Sequence, residues 1–205
     1  MPLGTDDMTN VSSLRKFIMK FGEKTMLIYD AILSEKRILF SGSLDHSAAE
    51  IADYALACSQ LVSPPLMGLV SRLHPYAALS NLDFLEEPGG YIAGVTNPVF
   101  KQRQAWYDLC CEVDVGKLKV SKNKDFYNYE QERYFQLDMD FIRSIIYRLK
   151  QNEAQSSDDE LRKAFESYTL LTLDLALADG STTTSSLSHD NYRLADIMQN
   201  RVKRF

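Results

Sequence analysis

Apolar residues three and four positions apart govern the start of the chain. Leu14, Phe17, Ile18 and Phe21 fall on one face of a helix that begins near Ser13. Gly22 interrupts it, and a second helical run carries Leu27, Ile28, Ala31 and Ile32. The pattern then changes period. RILFS, Arg37 to Ser41, is a short unbroken apolar run ended by Gly42, which predicts a buried strand. The following helix is capped by Asp45 or Ser47, with Glu50 in its first turn. Ala48, Ile51, Ala52, Ala55 and Leu56 line its face, with Cys58 nearby, and Pro64 and Pro65 stop it.

From Leu66 to Phe100 the chain is dense in turn residues set between apolar runs. That density predicts repeated reversal inside a packed domain. Within it, GGYIAGV reads as a buried strand entered through two glycines. Asn97-Pro98 opens another helix, expected to carry Phe100, Gln104, Trp106, Tyr107 and Leu109. A hairpin turning near Val115-Gly116 follows, with Leu118 and Val120 on its return arm. The tyrosine-rich run KNKDFYNYEQERYFQLD reads as a crossing segment.

Helical periodicity then takes over. Phe141, Ile142, Ile145, Ile146 and Leu149 form one apolar stripe from Asp138. After a hydrophilic break at 151–159, Leu161, Ala164, Phe165, Tyr168, Leu171 and Leu175 form another, capped by Ser157 or Asp158. DGSTTTSSLS is a low-complexity stretch, read as mobile over 178–188, and a last helix ends basic. Helix, strand and helix in alternation predict an α/β layer with a mostly parallel central sheet, followed by an all-helical module. The boundary is placed between 13–122 and 123–205.

Composition narrows the reading. A net charge of -5 argues against nucleic acid as the main partner. No apolar run reaches the roughly 18–20 residues that span a bilayer. Cys58, Cys110 and Cys111 make no disulfide framework and point to a reducing, cytoplasmic setting. His46, His74 and His189 lie far apart, and Cys110-Cys111 lacks zinc-ligand spacing, so no metal and no cofactor are expected. No GxSxG, GxGxxG or GxxxxGK[ST] occurs. Asp83, Glu86 and Glu87 read as a solvated acidic loop. With no catalytic residues in view, an interaction module is favoured over a hydrolase or transferase. The candidate partner-binding residues, chosen on turn-rich, aromatic and basic composition, are Arg72, His74, Tyr76, Asn97 and Phe100. Arg72, His74 and Tyr76 are equally read as a half-buried loop satisfied by backbone, and Asn97 as a helix cap.

LSEKRILFSGS, then a helix to LVSPP, then HPYAALSNLDFL, then GGYIAGVTNPVF occur in this order. The series resembles the central part of a DENN domain, in the stabilisation-of-polarity-axis (SPA) group that is also similar to type-6 DENN-domain proteins. A Trp-Tyr-Asp-Leu-Cys segment and a GKLKVS strand after GVTNPVF extend the resemblance, which covers Gly22 to Ser121. It implies that the region from Asp138 is the downstream DENN module. It also implies a guanine-nucleotide exchange factor for a Rab-type small GTPase in vesicle traffic or polarity, acting without covalent chemistry. The alternative is a scaffold or adaptor of the same fold. Membrane contact is then expected only through the GTPase, on vesicle surfaces. Complete DENN domains carry an upstream longin-like module, which is expected to be missing from this chain.

Overall fold

A computed structural model describes residues 13–43, 46–86, 90–121, 135–151 and 157–180. The first helix, α1 (Leu14–Phe21), starts where the Ser13 side chain accepts the Lys16 amide. Asp158, far along the chain, accepts the Arg15 amide at 3.0 Å. One helix start is thus fastened by a residue from the start of another helix, Asp158–Gly180. Gly22 ends α1 with φ 59°, a left-handed angle that a side chain disfavours. The next helix, α2 (Thr25–Leu33), buries every residue except the half-buried Leu27. The sequence predicts a single apolar face there. Instead α2 is enclosed on all sides, as its nearly continuous apolar run allows.

Among the described residues five strands follow: β1 (Ile38–Ser41), β2 (Leu73–His74), β3 (Ile92–Val95), β4 (Leu109–Glu112) and β5 (Lys117–Val120). Their order is β2-β3-β1-β4-β5. The first four run parallel and β5 returns antiparallel to β4. β1 is central, with Ile38 beside both Ile92 and Leu109. Alternate residues point to opposite faces. Ile38, Phe40, Ile92, Leu109 and Cys111 join the larger core with the helices. Leu39, Ala93, Val95 and Cys110 join a second core with Phe84, Tyr91, Phe100 and Tyr107. Both faces are covered, which is why β1 and β3 read as unbroken apolar runs.

Helix α3 (Ala48–Ser59) is capped by Ser47; Asp45 lies outside the described residues. Its buried side is Ile51, Tyr54, Ala55, Ala57 and Cys58. This is turned from the expected face, since Ala48 and Leu56 are not buried. The helix also ends at Ser59, before Pro64. The helix after Asn97 is shorter than expected: α4 (Pro98–Gln102) stops at Arg103, where ψ is 77°. Gln104–Trp106 form one 3-10 turn, and Leu109 belongs to β4.

Helices α5 (Phe135–Gln151) and α6 (Asp158–Gly180) pack into the larger core through Ile142, Ile145, Leu149, Leu161, Phe165 and Tyr168. Phe141 stacks on Tyr168 at 4.0 Å. Tyr168 donates a hydrogen bond to the buried Asp138 carboxylate, and Tyr29 of α2 donates to Thr169. The helical part therefore shares polar as well as apolar contacts with α1 and α2. Leu171, expected on the apolar stripe, is 45% exposed. The 178–188 stretch is described only to Gly180, and the expected last helix and tyrosine-rich crossing lie outside the described residues, apart from their overlap with α5.

Candidate functional site

Strand direction and crossover side define one place where the sheet opens. The chain leaves β1 for α3 and leaves β3 for α4, and β1 and β3 are neighbours. Ile51 of α3 belongs to the larger core, whereas Phe100 of α4 belongs to the other. Two adjacent parallel strands thus send their connections to opposite faces. A crevice forms at their carboxyl ends, the usual place for binding in open α/β sheets. It encloses about 460 Å³, lined by Ser41, Gly42 and Ser43 after β1, Thr96 and Pro98 after β3, Lys101 of α4 and Asp114 of the β4–β5 turn.

Its charged wall residues, Lys101 and Asp114, are each paired with a group beside the crevice. Lys101 Nζ lies 2.9 Å from Glu112 at the end of β4. The two ring nitrogens of His46 face carboxylates, Nδ1 at 2.8 Å from Glu50 and Nε2 at 2.6 Å from Asp114. The Ser43 amide donates to the same Asp114 oxygen at 3.2 Å. Lys16 of α1 reaches Glu50 at 3.4 Å and lies over the Tyr54 ring. The Glu50 hydrogen bond raises the His46 pKa above its ordinary 6.5, against the opposing effect of burial and with support from the charges of Glu50 and Asp114. The same hydrogen bond holds Glu50 below the ordinary carboxylate value.

The rim next to Thr96 is built by close approach of β2 to β3. The Ala77 amide donates to the Gly94 carbonyl at 2.7 Å. A Cβ at Gly94 would lie 2.3 Å from the Pro75 oxygen, so only glycine lets the two segments touch there. That contact brings the Tyr76 hydroxyl to 2.9 Å from Thr96 Oγ1. Tyr76 remains 46% exposed, presenting an aromatic ring beside the crevice.

The residues singled out from sequence occupy different environments. Tyr76 and Asn97 are at the carboxyl-end rim. Asn97 uses its side chain to accept the Val99 amide at 3.0 Å, capping α4. Phe100 is fully buried and packs edge-on against Trp106 at 5.4 Å. His74 lies in β2 with its ring 4.8 Å from Phe84. Arg72 precedes β2 and donates from Nε to the Gly90 carbonyl at 3.4 Å. Gly90 precedes β3, so Arg72 is at the amino end of the sheet. Tyr76, by contrast, reaches Thr96 past the carboxyl end of β3. SRLHPY thus crosses the sheet and does not gather at one surface. Asp83 is exposed, as expected of a solvated loop, and Glu87 lies outside the described residues.

Asp114, Lys101 and Thr96 line the crevice and carry no signal in the sequence, and His46, which reaches it through Asp114, is read there only as an isolated histidine without metal-ligand spacing. FSGS and GVTNP mark strand ends in the sequence, but their adjacency depends on strand order. The three cysteines are buried free thiols. Burial raises their pKa values, that of Cys110 to about 12. Among the described residues no helix is long and apolar enough to cross a membrane.

Fold and site together define a two-faced α/β domain with a polar, ion-paired crevice at a topological switch point and a helical extension. A family model described as Stabilization of polarity axis matches residues 11–122. That is more than half of the chain, and the chain belongs to this family. An AFI1-like protein of Schizosaccharomyces pombe is 37% identical over 100 residues, covering 47% of this chain and 16% of that protein. DENN domain-containing protein 10 of Danio rerio is 28% identical over 113 residues, covering 54% of this chain and 31% of that protein. The chain thus spans less than a third of either relative.

Proposed function

We propose that this chain is the central and downstream part of a DENN-type exchange factor for a Rab-type small GTPase, and that the carboxyl-end crevice with its Tyr76 rim is the surface that meets the GTPase. The family match over residues 11–122 is the observation that carries the reading, since the family is described by polarity, and the relative named for a DENN domain supports the DENN assignment. The crevice supports it as a surface already ordered and polar, with an exposed aromatic at its edge. Aromatic residues beside satisfied polar groups are the usual energetic centres of protein interfaces.

The mechanism requires no covalent step. An exchange factor that binds the nucleotide-free GTPase more tightly than the GDP-bound form lowers GDP affinity by the same factor, because the two equilibria are linked. Each factor of ten in that preference corresponds to about 1.4 kcal/mol of differential binding. Tyr76, held against Thr96, supplies a ring that loses little freedom on contact. The ion-paired crevice walls keep the strand ends in place while it does so.

The test is release of a fluorescent GDP analogue from a panel of Rab-type GTPases, with and without the full chain. Acceleration of one GTPase, lost in Tyr76→Ala, supports exchange through this surface. Binding without acceleration across the panel favours the scaffold or adaptor reading.

A further inference from the structure

We propose that His46 is a proton-operated latch that fastens the β4–β5 turn to the amino end of α3 beside the crevice. The geometry carries this. Both ring nitrogens face a carboxylate oxygen within hydrogen-bond distance, Glu50 at 2.8 Å and Asp114 at 2.6 Å. A neutral imidazole has one N–H and one lone pair, and a carboxylate only accepts. Only the imidazolium donates to both at once. On losing its proton, His46 keeps one partner and turns a lone pair toward the other.

The two partners belong to different parts of the fold. Glu50 is four residues along, in the first turn of α3, and is also reached by Lys16 of α1. Asp114 is in the β4–β5 turn and lines the crevice. Its oxygen is shared between His46 and the Ser43 amide. Among the described residues, Glu50 and Asp114 are the charges that face the ring; Lys16 stands behind Glu50, and Lys101, paired with Glu112, lines the crevice from α4. Protonated His46 therefore ties the β1–α3 connection to the β4–β5 turn. The tie holds below the ordinary histidine pKa and loosens as pH rises through the raised folded value. Exposed ion pairs contribute little to global stability, so the latch acts on the local position of the turn.

The latch needs no partner, and its state is read on the full chain alone. Nuclear magnetic resonance across neutral pH follows the His46 ring proton, assigned by its loss in His46→Gln, together with the Ser43 amide. The His46 midpoint is expected above ~6.5, with the Ser43 amide shifting at the same midpoint. Asp114→Asn is expected to lower the His46 midpoint, and His46→Gln to abolish the Ser43 transition. A His46 midpoint at or below ~6.5 overturns the latch. So does a Ser43 amide that ignores the His46 titration, or an unchanged midpoint in Asp114→Asn.

Discussion

Gly94→Ala probes the contact on which the candidate rim depends. The added Cβ would lie 2.3 Å from the Pro75 oxygen, 3.1 Å from Ile51 Cγ2 and 3.2 Å from the Ile51 oxygen. To reach even 3.0 Å, β2 and β3 must separate locally by at least about 0.7 Å. Two of the three obstacles are backbone oxygens, which cannot rotate away. Overpacking of this kind costs about 1–3 kcal/mol, and the rigid obstacles place Gly94→Ala in the upper part of that range. Gly94 does not have a left-handed φ, so the alanine gains about 0.4–1 kcal/mol from a less free unfolded chain. The steric cost wins, leaving a net loss of about 1–2 kcal/mol. For a chain of this size that lowers Tm by about 2–8 °C, measurable by calorimetry or circular dichroism. The Tyr76 ring, carried on the displaced segment, should show altered chemical shifts. A Tm equal to or above that of the unmodified chain, with Tyr76 shifts unchanged, would show that the Pro75 segment does not press against Gly94. Gly22→Ala is the control: its Cβ meets nothing within 4 Å but inherits φ +59°, so it should destabilise through backbone strain while leaving Tyr76 untouched.

Asp108→Ala should be costly, about 2–3 kcal/mol by denaturant unfolding, because the carboxylate accepts from the Arg37 amide at 2.8 Å and pairs with its guanidinium at 3.2 Å while nearly buried. Cys58, Cys110 and Cys111 should resist a thiol-specific reagent at neutral pH until denaturant is added, since burial raises all three pKa values; rapid labelling of the folded chain contradicts this. Glu23 is held below the ordinary carboxylate value chiefly by its hydrogen bond from Arg143, so its small stabilising contribution is present above the unfolded pKa of 4.5 and is lost as pH falls through the folded one. Arg143→Ala should bring the Glu23 midpoint back up by carboxyl-resolved NMR, and an unchanged midpoint would show the pair is not formed in solution. Tyr76→Phe should preserve Tm within about 1 °C, because one exposed hydroxyl contact to Thr96 is lost.

Legibility in the sequence followed contact range. The apolar runs at Ile38–Ser41 and Ile92–Val95, the Gly22 break and the Gly116 turn depend on neighbouring residues, and all were readable. Local spacing overextends α4 because Gln104, Trp106 and Tyr107 satisfy a helical period, yet Tyr107 is needed in the second core beneath β4. Tertiary burial prevailed over local period there. The buried face of α3 was misjudged for a related reason: Gly94 leaves space for Ile51, and that pairing is invisible until β3 is placed under α3. The crevice was the least legible feature. His46 and Asp114 are 68 positions apart in sequence and meet only because β4 lies beside β1. Composition drew attention instead to SRLHPY, whose residues run from one end of the sheet to the other.

Exchange as proposed requires that this chain prefer the nucleotide-free form of a Rab-type GTPase and meet it through the Tyr76 rim. The direct measurement is the affinity ratio of the full chain for nucleotide-free against GDP-loaded GTPase, by titration calorimetry, for the unmodified chain and for Tyr76→Ala. The account predicts a ratio of at least about tenfold, equivalent to about 1.4 kcal/mol, that falls toward one in the variant. Equal affinity for both nucleotide states, or a preference that Tyr76→Ala leaves intact in a folded chain, would contradict it.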